Sequence, residues 1–335
     1  MLNKKIVFII SIIFLLLGCT NKEIKLNKIN VLQYQPETNT SLITTYNDEL
    51  KKENTYKFNN ILITGTKITN KKNELISMQY LDKSNSYQII SINKKTSQIK
   101  KISLKNESPS TYHYFNNKIY YSSNYINNNN LQIYDLNTKK TNTIKLDKLI
   151  INSFVSNKKY IYIFLSNINE NKHYLYQMNK DNKVIKTYQL PKAIINNSNV
   201  LLDNNNVYFF TTDDLKTISN NYFNIIDTSL LKLNTYPYPY DYPANIIINN
   251  NNAYISNADT YNFSDSDKVI TKFNLQTKQY TNIKVKENIY NMKKDKNYLY
   301  MISNNNIYRF NLKTNTFDKE NKLNQNYFSN TILIH

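Results

Sequence analysis

Five short segments recur along the chain at an almost constant interval: Ile119-Tyr-Tyr-Ser-Ser, Ile161-Tyr-Ile-Phe-Leu, Val207-Tyr-Phe-Phe-Thr, Ala253-Tyr-Ile-Ser-Asn and Leu299-Tyr-Met-Ile-Ser. Their tyrosines, Tyr120, Tyr162, Tyr208, Tyr254 and Tyr300, are 42, 46, 46 and 46 residues apart. A fixed period of this size marks a repeat architecture, in which each unit buries its apolar face only against its neighbours. Each segment follows a polar turn, such as Asn116-Asn117-Lys118, Asn204-Asn205-Asn206 or Asn250-Asn251-Asn252. Asparagine tolerates the left-handed backbone that a tight turn between antiparallel strands demands.

A second element follows each first one. It reads Ile133-Tyr-Asp-Leu-Asn-Thr in one unit, Thr271-Lys-Phe-Asn-Leu-Gln-Thr in another and Ile307-Tyr-Arg-Phe-Asn-Leu-Lys-Thr in a third. Looser copies lie at 88–99, 174–185 and 230–240. Each is a strand of alternating polarity, a polar turn and a further strand. One unit is therefore about four short strands in roughly 40–50 residues, the size of a β-propeller blade. The alternation excludes helical solenoids, and a sandwich has no need of one paired motif at constant spacing.

Full units fall near 56–104, 110–146, 151–190, 195–240, 244–285 and 289–323. Leu32–Ile43 matches the second hairpin of a unit, and Ser329–Ile334 its turn and second strand. The expected fold is all-β: a seven-bladed β-propeller over residues 32–335, closed by both termini, which removes the free edge an open sheet must protect. The run Tyr236-Pro-Tyr-Pro-Tyr-Asp-Tyr-Pro243 falls where the fourth unit needs its outermost strand, and a ladder tolerates proline only at an edge.

Composition agrees with strands. Thirty tyrosines and fourteen phenylalanines supply core, and β-branched residues recur while helix formers are few. Only two glycines occur, Gly18 and Gly65, so positive-φ turns fall to asparagine.

The N-terminus reads differently. Lys4 and Lys5 precede an apolar run from Ile6 to Leu17 broken only by Ser11. That is shorter than the ~20 residues a bilayer-spanning helix needs, and it has the order of a secretory signal peptide. Leu16-Leu17-Gly18-Cys19 resembles the bacterial lipoprotein box, and Cys19 is the only cysteine. The resemblance implies a signal peptide over 1–18, lipid attachment at Cys19 and a tether over 19–31 leading to the propeller. A lone thiol makes no internal disulfide, and two acyl chains anchor where one is marginal. The expected location is the extracytoplasmic face of a cell membrane, held through the lipid anchor.

The paired pattern, best kept in Ala253-Tyr-Ile-Ser-Asn257 with Phe273-Asn-Leu-Gln-Thr277, resembles the YVTN-type propeller repeats of microbial surface proteins. The resemblance implies a propeller at the cell surface, and it brings no catalytic residues. Tryptophan is absent and glycine almost so, which excludes the Trp-Asp, kelch and Asp-box propeller signatures.

The formal net charge is +19 with Arg309 as the only arginine. Base-edge recognition favours arginine, so this lysine surface suits an anionic polymer or membrane rather than specific nucleic acid. His113, His173 and His335 fall in different units without metal-ligand spacing, and no nucleophile motif or phosphate-cradling loop occurs. Asp259, Asp265 and Asp267 are weak candidates for calcium, since alternating carboxylates offer hard oxygens. Asp213-Asp214 is a weaker acidic pair. Tyr236, Tyr238, Tyr240 and Tyr242 are the candidate ligand contacts, because tyrosine joins an apolar body to a polar tip. No cofactor is expected. The expected function is a binding or scaffold module for an extracytoplasmic protein, peptide or anionic wall polymer. The alternative is a propeller enzyme, a hydrolase or lyase of surface glycans, with Asp213, Asp259, Asp265 and Asp267 as first suspects for an acid pair.

Overall fold

The computed structural model describes residues 23–59, 69–70, 73–81, 86–104, 109, 111–125, 128–167, 169–195, 200–214, 219–230, 232–258 and 268–334. Among these residues there is no helix, and the strands form seven antiparallel sheets of four or five strands, the blades of a β-propeller. Blade 1 holds Thr69–Asn70, Glu74–Leu81, Ser86–Asn93 and Ile99–Leu104. Blade 2 holds Tyr112–Phe115, Lys118–Tyr125, Asn128–Asp135 and Thr141–Asp147. Blade 3 holds Ile150–Ser156, Ile161–Asn167, Lys172–Met178 and Val184–Leu190. In blade 4 the first position is split between Ala193–Ile194 and Leu201–Asp203, followed by Asn206–Asp214, Ser219–Asp227 and Lys232–Tyr238. Blade 5 holds Pro243–Asn249, Asn252–Asn257, Val269–Asn274 and Tyr280–Lys284. Blade 6 holds Asn291–Asp295, Tyr298–Ile302, Asn306–Asn311 and Thr316–Lys322. In blade 7, Phe328–Ile334 is followed by Ile29–Gln35, Thr40–Tyr46 and Lys52–Asn59.

The division of blade 7 departs from the expected units. Three of its strands come from the N-terminal side of the chain and a single strand from the C-terminal side, with Val31 opposite Ile332 and Tyr34 opposite Phe328. Lys52–Asn59 pairs with Thr40–Tyr46 and belongs to blade 7, not to the first full unit. The reason is continuity: a five-residue turn folds residues 52–59 directly back on the preceding strand, which local hydrogen bonding favours.

The repeated Asp/Asn-Leu-x-Thr motif has a local cause. Each third strand ends in an Asx residue whose side-chain oxygen accepts backbone N–H groups of the following turn. Asp135 Oδ1 takes Asn137 N at 2.8 Å and Thr138 N at 3.0 Å, and Asn274 Oδ1 takes Gln276 N and Thr277 N, both at 2.9 Å. Asn47, Asn93, Asn179, Asp227 and Asn311 do the same in the other blades. The turn closes through a left-handed residue, at Lys139, Lys278 and Asn315 in blades 2, 5 and 6. Asn116 and Asn117 both have positive φ, the backbone of a type I′ hairpin.

Apolar side chains collect between blades. Seven clusters of buried residues occupy the seven seams, each drawn from two adjacent sheets. The recurrent tyrosines lie on the second strands and are all buried. The Tyr120 hydroxyl donates to Asn182 Oδ1 at 2.8 Å, so one blade is stitched to the next blade's turn. Fourth strands are largely exposed, as the pattern of Thr141–Asp147 illustrates, and mark the outer rim. Antiparallel order gives the ring two unlike ends. The turn end carries the turns after first and third strands, and the loop end carries the second-to-third loops and the links between blades.

Candidate functional site

At the loop end of blade 4, three side chains from different elements meet. Lys192 lies in the link from blade 3, Asp213 near the end of the second strand, and Tyr222 on the third strand. Lys192 Nζ is 2.6 Å from Asp213 Oδ1, the Tyr222 hydroxyl donates to Asp213 Oδ2 at 3.0 Å, and the ammonium stands 3.5 Å from the centre of the Tyr222 ring. The hydrogen bonds from Lys192 and then Tyr222 hold the Asp213 carboxyl below the usual aspartate range. An ionised, occupied carboxylate accepts hydrogen bonds but does not donate a proton near neutral pH. The Asp213 side chain is 42% exposed, so the group faces solvent.

The tyrosine-proline run divides. Lys232–Tyr238 forms the outermost strand of blade 4, with Pro237 opposite Tyr222. Tyr236 packs 5.1 Å from the Phe273 ring. Tyr238 is buried, 5.0 Å from the Phe210 ring, and its hydroxyl donates to Asn257 Oδ1 at 2.6 Å; burial pushes its phenol pKa up. These two tyrosines therefore sit in the seam between blades 4 and 5. Tyr240 and Tyr242 lie in the link to blade 5 and are half-buried; the Tyr240 ring packs on the same seam, 6.2 Å from the Tyr238 ring, and its hydroxyl accepts from Asn282 Nδ2. Asn221 Nδ2 donates to Tyr240 O at 3.0 Å, and Tyr242, with φ of 51°, accepts from Ala258 N at 2.9 Å. Asp213, Lys192, Tyr222, Tyr240 and Tyr242 thus share one end of adjacent blades.

Two serine–histidine pairs were invisible in the sequence. His113 Nε2 is 2.8 Å from Ser156 Oγ, between the first strands of blades 2 and 3. In blade 3, His173 Nδ1 is 2.8 Å from Ser166 Oγ and its Nε2 is 3.1 Å from Asn171 Oδ1. Ser166 Oγ also accepts from Asn152 Nδ2 at 2.6 Å. The only signal for this pairing is the hairpin register, which sets Ser166 opposite His173. Both residues are 3% exposed and their polar atoms are occupied, so the network leaves no room for a substrate. Burial lowers the His173 pKa, as for a neutral core histidine.

Cys19, Asp259, Asp265, Asp267 and His335 lie outside the described residues. Among the side chains whose burial is described no aspartate or glutamate is buried, and among the described residues no three His, Cys, Asp or Glu side chains gather where a metal ion is held. Neither a buried carboxylate pair nor a calcium cage is found among them. A cavity of about 210 Å³ opens between blades 2 and 3, lined by Leu131, Ile144, Lys145, Asp147, Leu165 and Met178 among others. It is smaller than the ~300–1,000 Å³ typical of small-molecule pockets.

No family model matches the chain, and no curated protein matches it in sequence. Comparison with solved structures finds the same fold in proteins of remote sequence. The dihydro-heme d1 dehydrogenase NirN, in complex with DHE, is 9% identical with a TM-score of 0.59, covering 90% of this chain and 67% of its own. Apo AztD from Citrobacter koseri is 9% identical with a TM-score of 0.57, covering 91% and 97%. A chain of the nidogen/laminin complex is 7% identical with a TM-score of 0.52, again covering 91% and 97%. At these identities the likeness concerns the fold.

Proposed function

We propose that the chain is a surface-anchored lipoprotein whose propeller is a binding or scaffold module for an extracytoplasmic partner: a protein, a peptide or an anionic wall polymer. The observation that carries this reading is the loop end of blades 4 and 5. There an exposed carboxylate, an ammonium and a tyrosine ring hold one another in contact, at the same end of adjacent blades as Tyr240 and Tyr242. Such a platform is preorganised, so little ordering opposes association. The pairing of Phe328–Ile334 with Ile29–Gln35 supports a ring closed by both ends of the chain. One structural neighbour comes from a nidogen/laminin complex, a precedent for contact between proteins. Lipid at Cys19 holds the module at the extracytoplasmic face of the membrane.

The anchor is tested by metabolic labelling with a fatty-acid analogue in wild type and Cys19→Ser; equal label in both refutes it. The module is tested with unlipidated protein from residue 19, titrated with cell-surface extract fractions and with purified wall polymer. Saturable, salt-sensitive binding that Asp213→Asn with Tyr222→Ala abolishes is the expected result. Glycan turnover that disappears in Asp213→Asn overturns it in favour of a propeller hydrolase or lyase.

A further inference from the structure

The turn end of the ring carries a charge asymmetry that the loop-end site does not use. In blades 1–3 its turns present exposed Lys95, Lys139, Lys140, Lys158, Lys159, Lys180 and Lys183, with Lys118 half-buried among them. Among the described residues the acidic side chains at this end of blades 1–3 are half-buried Glu74 and Asp135 and exposed Asp181. Asp135 is engaged by the backbone N–H groups of its own turn. Blades 2 and 3 are joined within this sector: Lys118 Nζ donates to Lys180 O at 3.4 Å.

Two further observations say what such a surface meets. Leu230, in the adjoining turn of blade 4, is 73% exposed, the most exposed large apolar side chain among the described residues. That turn is tied to blade 3 through Tyr188, whose hydroxyl donates to Thr228 O at 3.4 Å. The chain also reaches the ring here. Ile24 N donates to Lys94 O at 2.6 Å, next to Lys95, and Lys28 is 2.9 Å from both Asp48 and Asp295 at the turn end of blades 7 and 6. Four residues, 19–22, span at most ~14 Å, so a lipid at Cys19 would hold this end close to the bilayer.

We propose that the turn end of blades 1–3, with Leu230 at its margin, docks on an anionic lipid bilayer and turns the loop end of blades 4 and 5 outward. The outward orientation rests on the anchored reading; the affinity for lipid does not. Lysine ammoniums are hydrated point charges that suit a diffuse layer of headgroups. A protruding leucine has a place in the interfacial region of a bilayer and none on a soluble polyanion, which is why lipid is favoured over wall polymer.

The test uses unlipidated protein from residue 19 carrying Cys19→Ser, which contains every described strand. Its sedimentation is measured with phosphatidylcholine vesicles with and without phosphatidylglycerol, at low and high salt. Binding to the anionic vesicles alone, weakened by salt, is expected. Changing Lys139, Lys140, Lys158 and Lys159 together to Gln should weaken it about tenfold or more, since each lysine near the surface contributes appreciably. The same change at Lys268, Lys284, Lys286 and Lys322, at the loop end of blades 5 and 6, should leave most of it. Leu230→Ser should lower binding severalfold without altering its salt dependence. Equal loss from both lysine sets reduces the effect to net charge and overturns the proposal. So does an inert Leu230→Ser combined with full competition by soluble polyphosphate, which assigns the surface to a polyanion. Cys19 labelling is read separately, so loss of the anchor and loss of the docking surface are told apart.

Discussion

Replacing Arg309 with methionine should loosen the ring at one seam. The guanidinium, whose side chain is 8% exposed, lies on the third strand of blade 6. Its Nε and Nη2 donate to the two oxygens of Asp318 at 2.9 and 3.1 Å, and its Nη1 donates to the carbonyl of Asp48 in a turn of blade 7. The ion also sits 4.5 Å above the Tyr298 ring. Removing one partner of a buried charge pair costs ~3–5 kcal/mol, mostly because the other charge is stranded. The Asp318 side chain is 28% exposed and regains some water, so ~2–3 kcal/mol is expected here. At roughly 2–4 °C per kcal/mol for domains approaching this size, the melting temperature should fall by about 5–10 °C. Hydrogen exchange should rise first in Phe328–Ile334 and Ile29–Gln35, and least in blades 3 and 4. The control is Lys286→Ala, which breaks a 2.7 Å ion pair with Glu320 whose side chains are 75% and 39% exposed. Such surface pairs contribute ~1 kcal/mol or less. The double variant Arg309→Met, Asp318→Leu should regain stability, because no charge is stranded. An Arg309→Met melt indistinguishable from that of Lys286→Ala would refute the clamp.

Three other outcomes follow from the same geometry. Deleting residues 324–335 uncovers the edge of Ile29–Gln35 and the fully buried Ile29 and Val31, so size-exclusion chromatography should show aggregates; a monomer that melts normally contradicts the pairing. Tyr238→Phe leaves the buried Asn257 Oδ1 without its 2.6 Å donor, and chemical denaturation should report a loss of ~1–2 kcal/mol. His173 has its folded pKa below the ordinary value of 6.5, so the unfolded chain takes up a proton first on acidification. Its contribution to stability is then complete above about pH 6.5 and declines as pH falls below that. His173→Gln should flatten that stretch of the stability–pH curve, and an unchanged slope counts against the buried neutral form.

What the sequence determined was set by short-range physics. The alternation that makes strands, the Asx residues Asp135, Asn274 and Asn311 that cap turns, and the left-handed asparagines at 116 and 117 all act within a single hairpin. Their period therefore announces a blade before any blade is built. Blades 1 and 7 were harder to read because Ile76 and Asn30 stand where the other five carry the recurrent tyrosine, so the second-strand motif is missing. What only the tertiary structure decided was which copies touch. Nothing in the run from Tyr236 to Tyr242 distinguishes Tyr238, buried against Phe210, from Tyr236 and Tyr240, half-buried on the same seam; the neighbouring blade makes that choice. Arg309 meets Asp48 across 261 residues, and Lys192 meets Asp213 across 21, because the ring brings distant turns into register. The lysine sector is equally a product of assembly. Lysines scattered along the sequence become one surface only when antiparallel order sends their turns to the same end of neighbouring blades, where their charges act together over about a Debye length.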